Sequence, residues 1–266
     1  MKVNETAHWN PVLFASPAVG GRARLHLWFK TGETIPAWRT WHAFSGDEGA
    51  TWSKAEPVQQ DEQLPLGPVK NKPILLSDGS WLAGLSDEPP GAEPDTWDWR
   101  AYTARSADGG KTWRDVAPVP YVCAPIKGSG SGIIQPTLWE SAPGRVHMLL
   151  RSTCGFICRS DSTDSGRTWS EARPTAMPNN NSGIDVARLA DGSLVLACNP
   201  NSKNWGARTP LTVFLSSDNG ATWPERLDLE TEPGEYSYPA IIPAAGGVAV
   251  SYTWKRQRIA FWHGSI

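Results

Sequence analysis

The sequence predicts an all-β chain, a β-propeller of four-stranded antiparallel blades, and three observations predict it. The pattern Ser-x-Asp-x-Gly-x-Thr-Trp recurs four times, short apolar runs recur in fixed order between the copies, and no segment carries the 3.6-residue periodicity of a long helix. The copies end at Trp52, Trp113, Trp169 and Trp223. Their aspartates, Asp47, Asp108, Asp164 and Asp218, stand 61, 56 and 54 residues apart. That period suits one four-stranded unit with its loops.

Each unit reads in the same order. A first strand is introduced by a polar residue and often a proline: WNPVLF at 9–14, NKPILL at 71–76, IQPTLW at 134–139, SGIDVARL at 182–189 and SYPAII at 237–242. A turn such as SDGS at 77–80 or ADGS at 190–193 leads into a second strand. These second strands are RLHLWFK at 24–30, WLAGL at 81–85, RVHMLLR at 145–151, LVLACN at 194–199 and VAVSYTWK at 248–255. WRTWHAFS, WRAYTARS, GFICRSDS, PLTVFLSS and RQRIAFWH supply the third strands. The box then turns the chain into a fourth. Five units result, in one domain spanning 1–266. The fifth lacks a box and a fourth strand, which Lys2–Ala7 is placed to supply. A five-bladed closure and a six-bladed relative lacking its first blade both fit, and in the second case another chain would cover the open edges.

The box is read as structural. Gly49, Gly110, Gly166 and Gly220 supply the positive φ that the turn needs. The aspartates accept backbone N–H bonds across it, and the tryptophans pack beneath or between blades.

Composition narrows the function classes. A net charge of −2 excludes a globally basic nucleic-acid binder. No 18-residue apolar run is present, so no membrane span is expected. The start MKVNETAHWNP has no apolar h-region, so no signal peptide is read and a cytoplasmic location is expected; an upstream segment would make the chain secreted. The 15 tryptophans, 25 glycines and 23 prolines suit many short strands joined by turns.

Cys123, Cys154, Cys158 and Cys198 form no C-x2-C pair. Cys154 and Cys158 are read on one extended segment, about 13 Å apart and beyond disulfide reach, so free or small buried thiols in a reducing compartment are expected. The five histidines are scattered, and no metal or other cofactor is expected. His26 and His147 share one strand-2 position, which points to packing or hydrogen bonds between blades.

Blade geometry locates the site. The box turns lie on one face, while the starts of first strands and the ends of second strands meet on the other. Before first strands stand His8, Trp9 and Asn10; Lys70, Asn71 and Lys72; Gln135; Asn179 to Ser182 and Asp185; Glu235, Tyr236 and Tyr238. After second strands stand Lys30; Asp87 and Glu88; Arg151; Asn199 and Asn201; Lys255 and Arg256. Amides, hydroxyls and aromatics with six basic residues read as a pocket for an anionic sugar. Lys30, Lys70, Asn71, Lys72, Gln135, Arg151, Asn181, Tyr236, Lys255 and Arg256 are the candidate substrate-binding residues.

Asp185 is an acid–base candidate, because a carboxylate inside an apolar strand is costly unless paired or working. The others are Glu235 and the Asp87/Glu88 pair. Glu235 stands beside Tyr236 and Tyr238, which suggests a tyrosine nucleophile activated by a neighbouring carboxylate.

The four boxes resemble the Asp-box, or BNR, repeats of the sialidase superfamily. The segments HWNPVLF, GPVKNKPILLSDGSWL, IQPTLWES, LLRS, NNNSGID, TEPGEYSYPAII and YTWKRQRIAFW together resemble its sialidase-like, predicted neuraminidase group. The resemblance runs from His8 to Trp262. It implies an exo-glycosidase with Tyr238 as nucleophile, Glu235 as its base and Asp185 or Asp87 as acid/base. Sialidases hold the substrate carboxylate with three arginines, the first in an Arg-Ile-Pro motif that this sequence lacks. Arg151 and Arg256 are the available members. A glycosidase or lyase acting on uronic-acid or deoxy-sugar glycans, and a non-catalytic glycan-binding propeller, are the other readings. A homo-oligomer is left open.

Overall fold

The computed structural model describes residues 3, 5–17, 23–59 and 64–266. Apart from a short 3-10 turn at Ile35–Ala37, the regular elements are all strands. The first sheet runs in order through β1 (His8–Ala15), β2 (Leu25–Thr31), β3 (Arg39–Ser45) and β4 (Glu56–Pro57). The second unit is β5 (Ile74–Leu75), β6 (Trp81–Asp87), β7 (Thr96–Ser106) and β8 (Arg114–Pro118). The third is β9 (Ser129–Ala142), β10 (Arg145–Ser152), β11 (Phe156–Ser162) and β12 (Arg173–Pro178). The fourth is β13 (Asp185–Arg188), β14 (Leu194–Cys198), β15 (Leu211–Ser216) and β16 (Glu225–Glu230). β17 (Tyr236–Ala244), β18 (Gly247–Trp254) and β19 (Arg258–Gly264) close the chain as a three-stranded sheet. Within each unit the strands are antiparallel, as propeller-like blades require.

The sequence predicts five units, and the second and third are joined in one sheet. The N-terminal part of β7 runs parallel to that of β9, from Thr96 opposite Ser129 to Trp99 opposite Gly132. Gly130 and Gly132 permit this approach, because a Cβ on either would collide with Trp99. No strand among the described residues precedes His8. Lys2 and Asn4, within the expected closing strand Lys2–Ala7, lie outside the described residues.

The core lies between successive sheets. Val12 and Trp28 pack on Trp81 and Leu85, Leu82 on Leu138 and Met148, Trp139 and Leu149 on Val186 and Leu196, and Ala187 and Val195 on Ile241 and Val250. The last sheet leaves Ile242, Ile259 and Phe261 exposed.

All four boxes adopt one turn. Gly49, Gly110, Gly166 and Gly220 have φ of 91°, 80°, 79° and 79°. In the second box Asp108 Oδ1 accepts from Thr112 N at 2.9 Å and Oδ2 from the Thr112 hydroxyl at 2.7 Å; the other three repeat the pattern. Two of the box tryptophans reach the preceding sheet: Trp113 packs near Trp28, and Trp169 Nε1 donates to Thr103 Oγ1 at 2.9 Å. A buried tryptophan removes roughly 150–250 Å² from water, against about 1 kcal/mol net for one hydrogen bond.

Cys154 and Cys158 are free thiols, but the extended spacing expected between them does not hold. β10 ends at Ser152 and the chain reverses through 153–155, so Cys154 sits in a turn rather than an extended strand, and its Sγ lies 3.9 Å from that of Cys158. His26 bonds His42 within its sheet, while His147 reaches Asn219 of the next. Among the described residues no helix is long and apolar enough to cross a membrane, and no group of three or more His, Cys, Asp or Glu is placed to hold a metal ion.

Candidate active site

The first strands share one backbone device. Asn10, Lys70, Gln135, Asn181 and Tyr238 stand four residues before Phe14, Ile74, Trp139, Asp185 and Ile242, and their φ values are 46°, 63°, 57°, 62° and 52°. Ladder irregularities fall at Asn10, Gln135 and Tyr238. Such bulges re-aim side chains at some backbone cost. One polar residue thus stands at a positive φ at or just before the first strand of each unit.

Three arginines converge on Tyr238. The guanidinium carbons of Arg208 and Arg256 lie 5.1 and 5.4 Å from its ring centroid. Arg151 faces the same phenol from the end of β10. Burial alone would raise the Tyr238 pKa, but Arg208, Arg151 and Arg256 outweigh it and hold the phenol below its usual range. Gly183 makes room, since a Cβ there would sit 3.2 Å from Tyr238 Cδ1 and 3.0 Å from Lys70 Cε.

Each guanidinium is fixed by a neutral or acidic partner. Arg151 is buried; its Nε donates to Asn181 Oδ1 at 3.1 Å and its Nη1 to Gln135 Oε1 at 3.2 Å. Its guanidinium carbon stacks 5.0 Å from the Trp99 ring. Burial lowers its pKa to about 10, leaving it cationic at neutral pH. Arg208 Nη1 and Arg256 Nε both donate to Glu235 Oε1, at 3.0 and 2.6 Å, and Ser237 Oγ reaches the same oxygen at 3.1 Å. Glu88 follows β6 beside Trp99 and Arg151. Burial raises its pKa, against the opposing pull of Arg151 and the indole N–H. Asp87 is raised by burial as well, but its charged neighbour is Arg100.

Arg151, Arg256, Glu235, Tyr238, Gln135 and Asn181 are thus brought together, whereas other candidate residues are engaged in the framework. Asp185 is buried and fully partnered: Oδ2 accepts from Lys72 Nζ at 2.8 Å and Ile241 N at 2.9 Å, and Oδ1 from Thr137 at 2.7 Å. Lys72 serves Asp185 and the Val186 carbonyl. Lys30 is buried in the first sheet, where its Nζ donates to Thr40 and the Pro65, Leu66 and Gly67 carbonyls. Asn71 donates to the carbonyls of Gln135 and Pro136. Tyr236 packs in the core between the last two sheets, and Lys255 rests on Trp254, 4.7 Å from its centroid. Lys70 crosses to the Ile184 and Pro239 carbonyls at 2.5 and 2.7 Å, and burial lowers its pKa to about 7.

Sequence reasoning missed Arg208, Trp99 and Trp205. Arg208 lies in the long connection between β14 and β15, well beyond the residues that directly follow a second strand. The Trp205 ring meets Trp99 edge-on with centroids 5.9 Å apart, and its Nε1 donates to Ser129 at 3.1 Å. The arrangement can bind a carboxylate and stabilise an oxyanion at Tyr238.

The comparisons agree with this architecture. An 18% identical protein of unknown function from Dyadobacter fermentans superposes with a TM-score of 0.72, covering 96% of this chain and 75% of its own. A mutant of the NanB sialidase from Streptococcus pneumoniae, also 18% identical, gives 0.63 over 88% of this chain and 35% of that one. The leech intramolecular trans-sialidase, 17% identical, gives 0.64 over 96% and 42%. This chain therefore spans less than half the length of either sialidase, and the likeness is one of fold. No curated protein matches it. The family model described as the BNR repeat-like domain matches residues 2–250, so the chain, sialidase-like in fold, belongs to the BNR repeat-like family.

Proposed function

We propose that the chain is a sialidase-like exo-glycosidase that removes a terminal acidic sugar from a glycan. The observation that carries this reading is the convergence of Arg151, Arg208 and Arg256 on one half-buried phenol, Tyr238. Three guanidinia around a tyrosine suit a ligand that brings its own carboxylate, and they lower the cost of a phenolate.

In this reading Tyr238 gives up its phenolic proton to solvent in the field of the arginines, and the phenolate attacks the anomeric carbon. The glycosidic C–O bond breaks as Glu88, whose pKa burial raises, passes its proton to the leaving oxygen. Water then displaces Tyr238 while the Glu88 carboxylate takes back a proton. Glu235 positions Arg208 and Arg256, and Asp185 holds the framework through Lys72. These roles replace those expected of both carboxylates, because Glu235 Oε1 already holds Arg208 and Arg256 and both Asp185 oxygens are partnered.

The test is hydrolysis of aryl glycosides of sialic acid and of uronic acids. Turnover lost in Tyr238→Phe, with acidic-sugar binding retained, supports the reading. Absence of turnover on every acidic glycoside sinks it. One observation favours a glycan-binding role without catalysis: the Glu235 oxygen Oε1, engaged by Arg208 and Arg256, is not free to take the Tyr238 proton. That role predicts binding which survives Glu88→Gln and Glu235→Gln together.

A further inference from the structure

The hairpin that presents Arg151 carries a second chemistry. After Ser152 the chain turns through Thr153, Cys154 and Gly155 and returns at Phe156, with Leu150 opposite Cys158. The turn folds Cys154 back, so its Sγ lies 3.9 Å from Cys158 Sγ. The two thiols differ in access: Cys154 is exposed and Cys158 is buried. Ser152 fixes the arrangement, with its Oγ 2.9 Å from Cys154 Sγ and accepting from Cys154 N at 3.2 Å. Gly155, at φ 86°, seats the turn on the loop after β14, where a Cβ would lie 2.7 Å from the Ser202 carbonyl oxygen.

We propose that Cys154 and Cys158 form a redox-active dithiol, oxidised by peroxide to an intramolecular disulfide and reopened by thiols. Cys154, the exposed member, attacks one peroxide oxygen. The O–O bond breaks, water leaves after protonation, and Cys154 becomes a sulfenic acid. The Cys158 sulfur then attacks the Cys154 sulfur. The S–O bond breaks and hydroxide leaves with the Cys158 proton as a second water. Two thiols lose two electrons, and one hydrogen peroxide gains them.

The geometry suits this division of labour. Rotation of one exposed side chain closes the gap from 3.9 Å toward a bond of about 2.05 Å. The hydrogen bond from Cys158 leads the causes that hold the Cys154 thiol down to about 5, while that same bond and burial push Cys158 up. An exposed thiolate beside a buried partner is the arrangement of an attacking and a resolving cysteine.

Trypsin places both residues in one peptide, STCGFICR at 152–159, which makes the test direct. Folded protein is treated with hydrogen peroxide, alkylated in denaturant, digested and weighed. The expected result is that most of this peptide is unalkylated and two hydrogens lighter, and that dithiothreitol before alkylation restores two labels. Cys154→Ser, a substitution at an exposed position, is expected to retain one alkylatable thiol at Cys158 after the same treatment. Two labels on the peroxide-treated wild-type peptide, a Cys154 sulfinic acid without a bridge, or a bridge from Cys123 would each overturn the proposal.

Discussion

Arg208 and Glu235 are joined at 3.0 Å, and the Glu235 oxygen that Arg208 meets also holds Arg256 at 2.6 Å. One carboxylate oxygen therefore sets two of the three guanidinia around Tyr238. A hydrogen bond to a charged group is worth about 1.5–3 kcal/mol, so Arg208→Ala should weaken binding of free sialic acid about 10- to 100-fold. Binding of a neutral sugar should change little. Calorimetric titration of both sugars reads the difference, and equal losses for the two would remove the carboxylate-binding role.

Tyr238 should be the first tyrosine to ionise. Arginine charges hold its phenol low despite burial, whereas burial raises Tyr102, Tyr121 and Tyr252. In an ultraviolet alkaline titration, Tyr238→Phe should delete the earliest phenolate step. Arg208→Ala should move that step to higher pH, because one stabilising positive charge is gone. An unchanged first step in Tyr238→Phe would assign the ionisation elsewhere.

Sequence reasoning was strongest where chemistry is local. The box turns needed only Gly at positive φ and an aspartate spanning four residues, and Asp108 with Thr112 provides that. The strand order followed for the same reason. Asp185 reads in sequence as a costly carboxylate in an apolar strand, and its partner Lys72 stands 113 residues away. Only the meeting of two sheets distinguishes pairing from catalysis there. Arg208 was hidden because its loop belongs to no repeat. Cys154 was misplaced because two turn residues were read as strand, and a reversal of direction changes a spacing more than any propensity does.

The Asp185–Lys72 pair should be a stability element. The Asp185 side chain is 2% exposed and that of Lys72 19%. Breaking a buried pair costs about 3–5 kcal/mol, so Asp185→Asn should lower unfolding stability by roughly 3 kcal/mol. Adding Lys72→Met should recover part of that loss, because the stranded ammonium is removed. Urea unfolding of the two singles and the double gives the cycle. If Asp185→Asn is as stable as wild type and still abolishes turnover, Asp185 belongs to the chemistry instead.

Acid should loosen the box turns. Hydrogen bonds from Thr51 lead the causes that lower Asp47 to about 2, and those from Thr222 do the same for Asp218. Groups with depressed folded values stabilise the fold above their unfolded pKa of about 4, and that contribution disappears as pH falls through about 2. Stability should therefore decline between pH 4 and 2. Replacing Asp47 and Asp218 together by Asn should flatten that part of the curve. An identical acid profile in the double variant would place the acid sensitivity in other carboxylates.

Two glycines separate backbone strain from crowding. Gly79 and Gly110 have φ of 82° and 80°, so alanine is equally strained at both, by about 1–2 kcal/mol. Around Gly79 a Cβ meets nothing within 4 Å, whereas at Gly110 it would lie 2.5 Å from Trp28 Cζ2 and 2.9 Å from Trp81 Cζ3. Trp28 is fully buried and cannot step aside without disturbing the core between the first two sheets. Overpacking of that kind adds about 1–3 kcal/mol. Gly79→Ala should therefore cost about 1 kcal/mol and Gly110→Ala about 3 kcal/mol in urea unfolding. Equal losses would mean that the box glycine is required by its turn alone, and that the tryptophans do not lock the turn to the sheet before it.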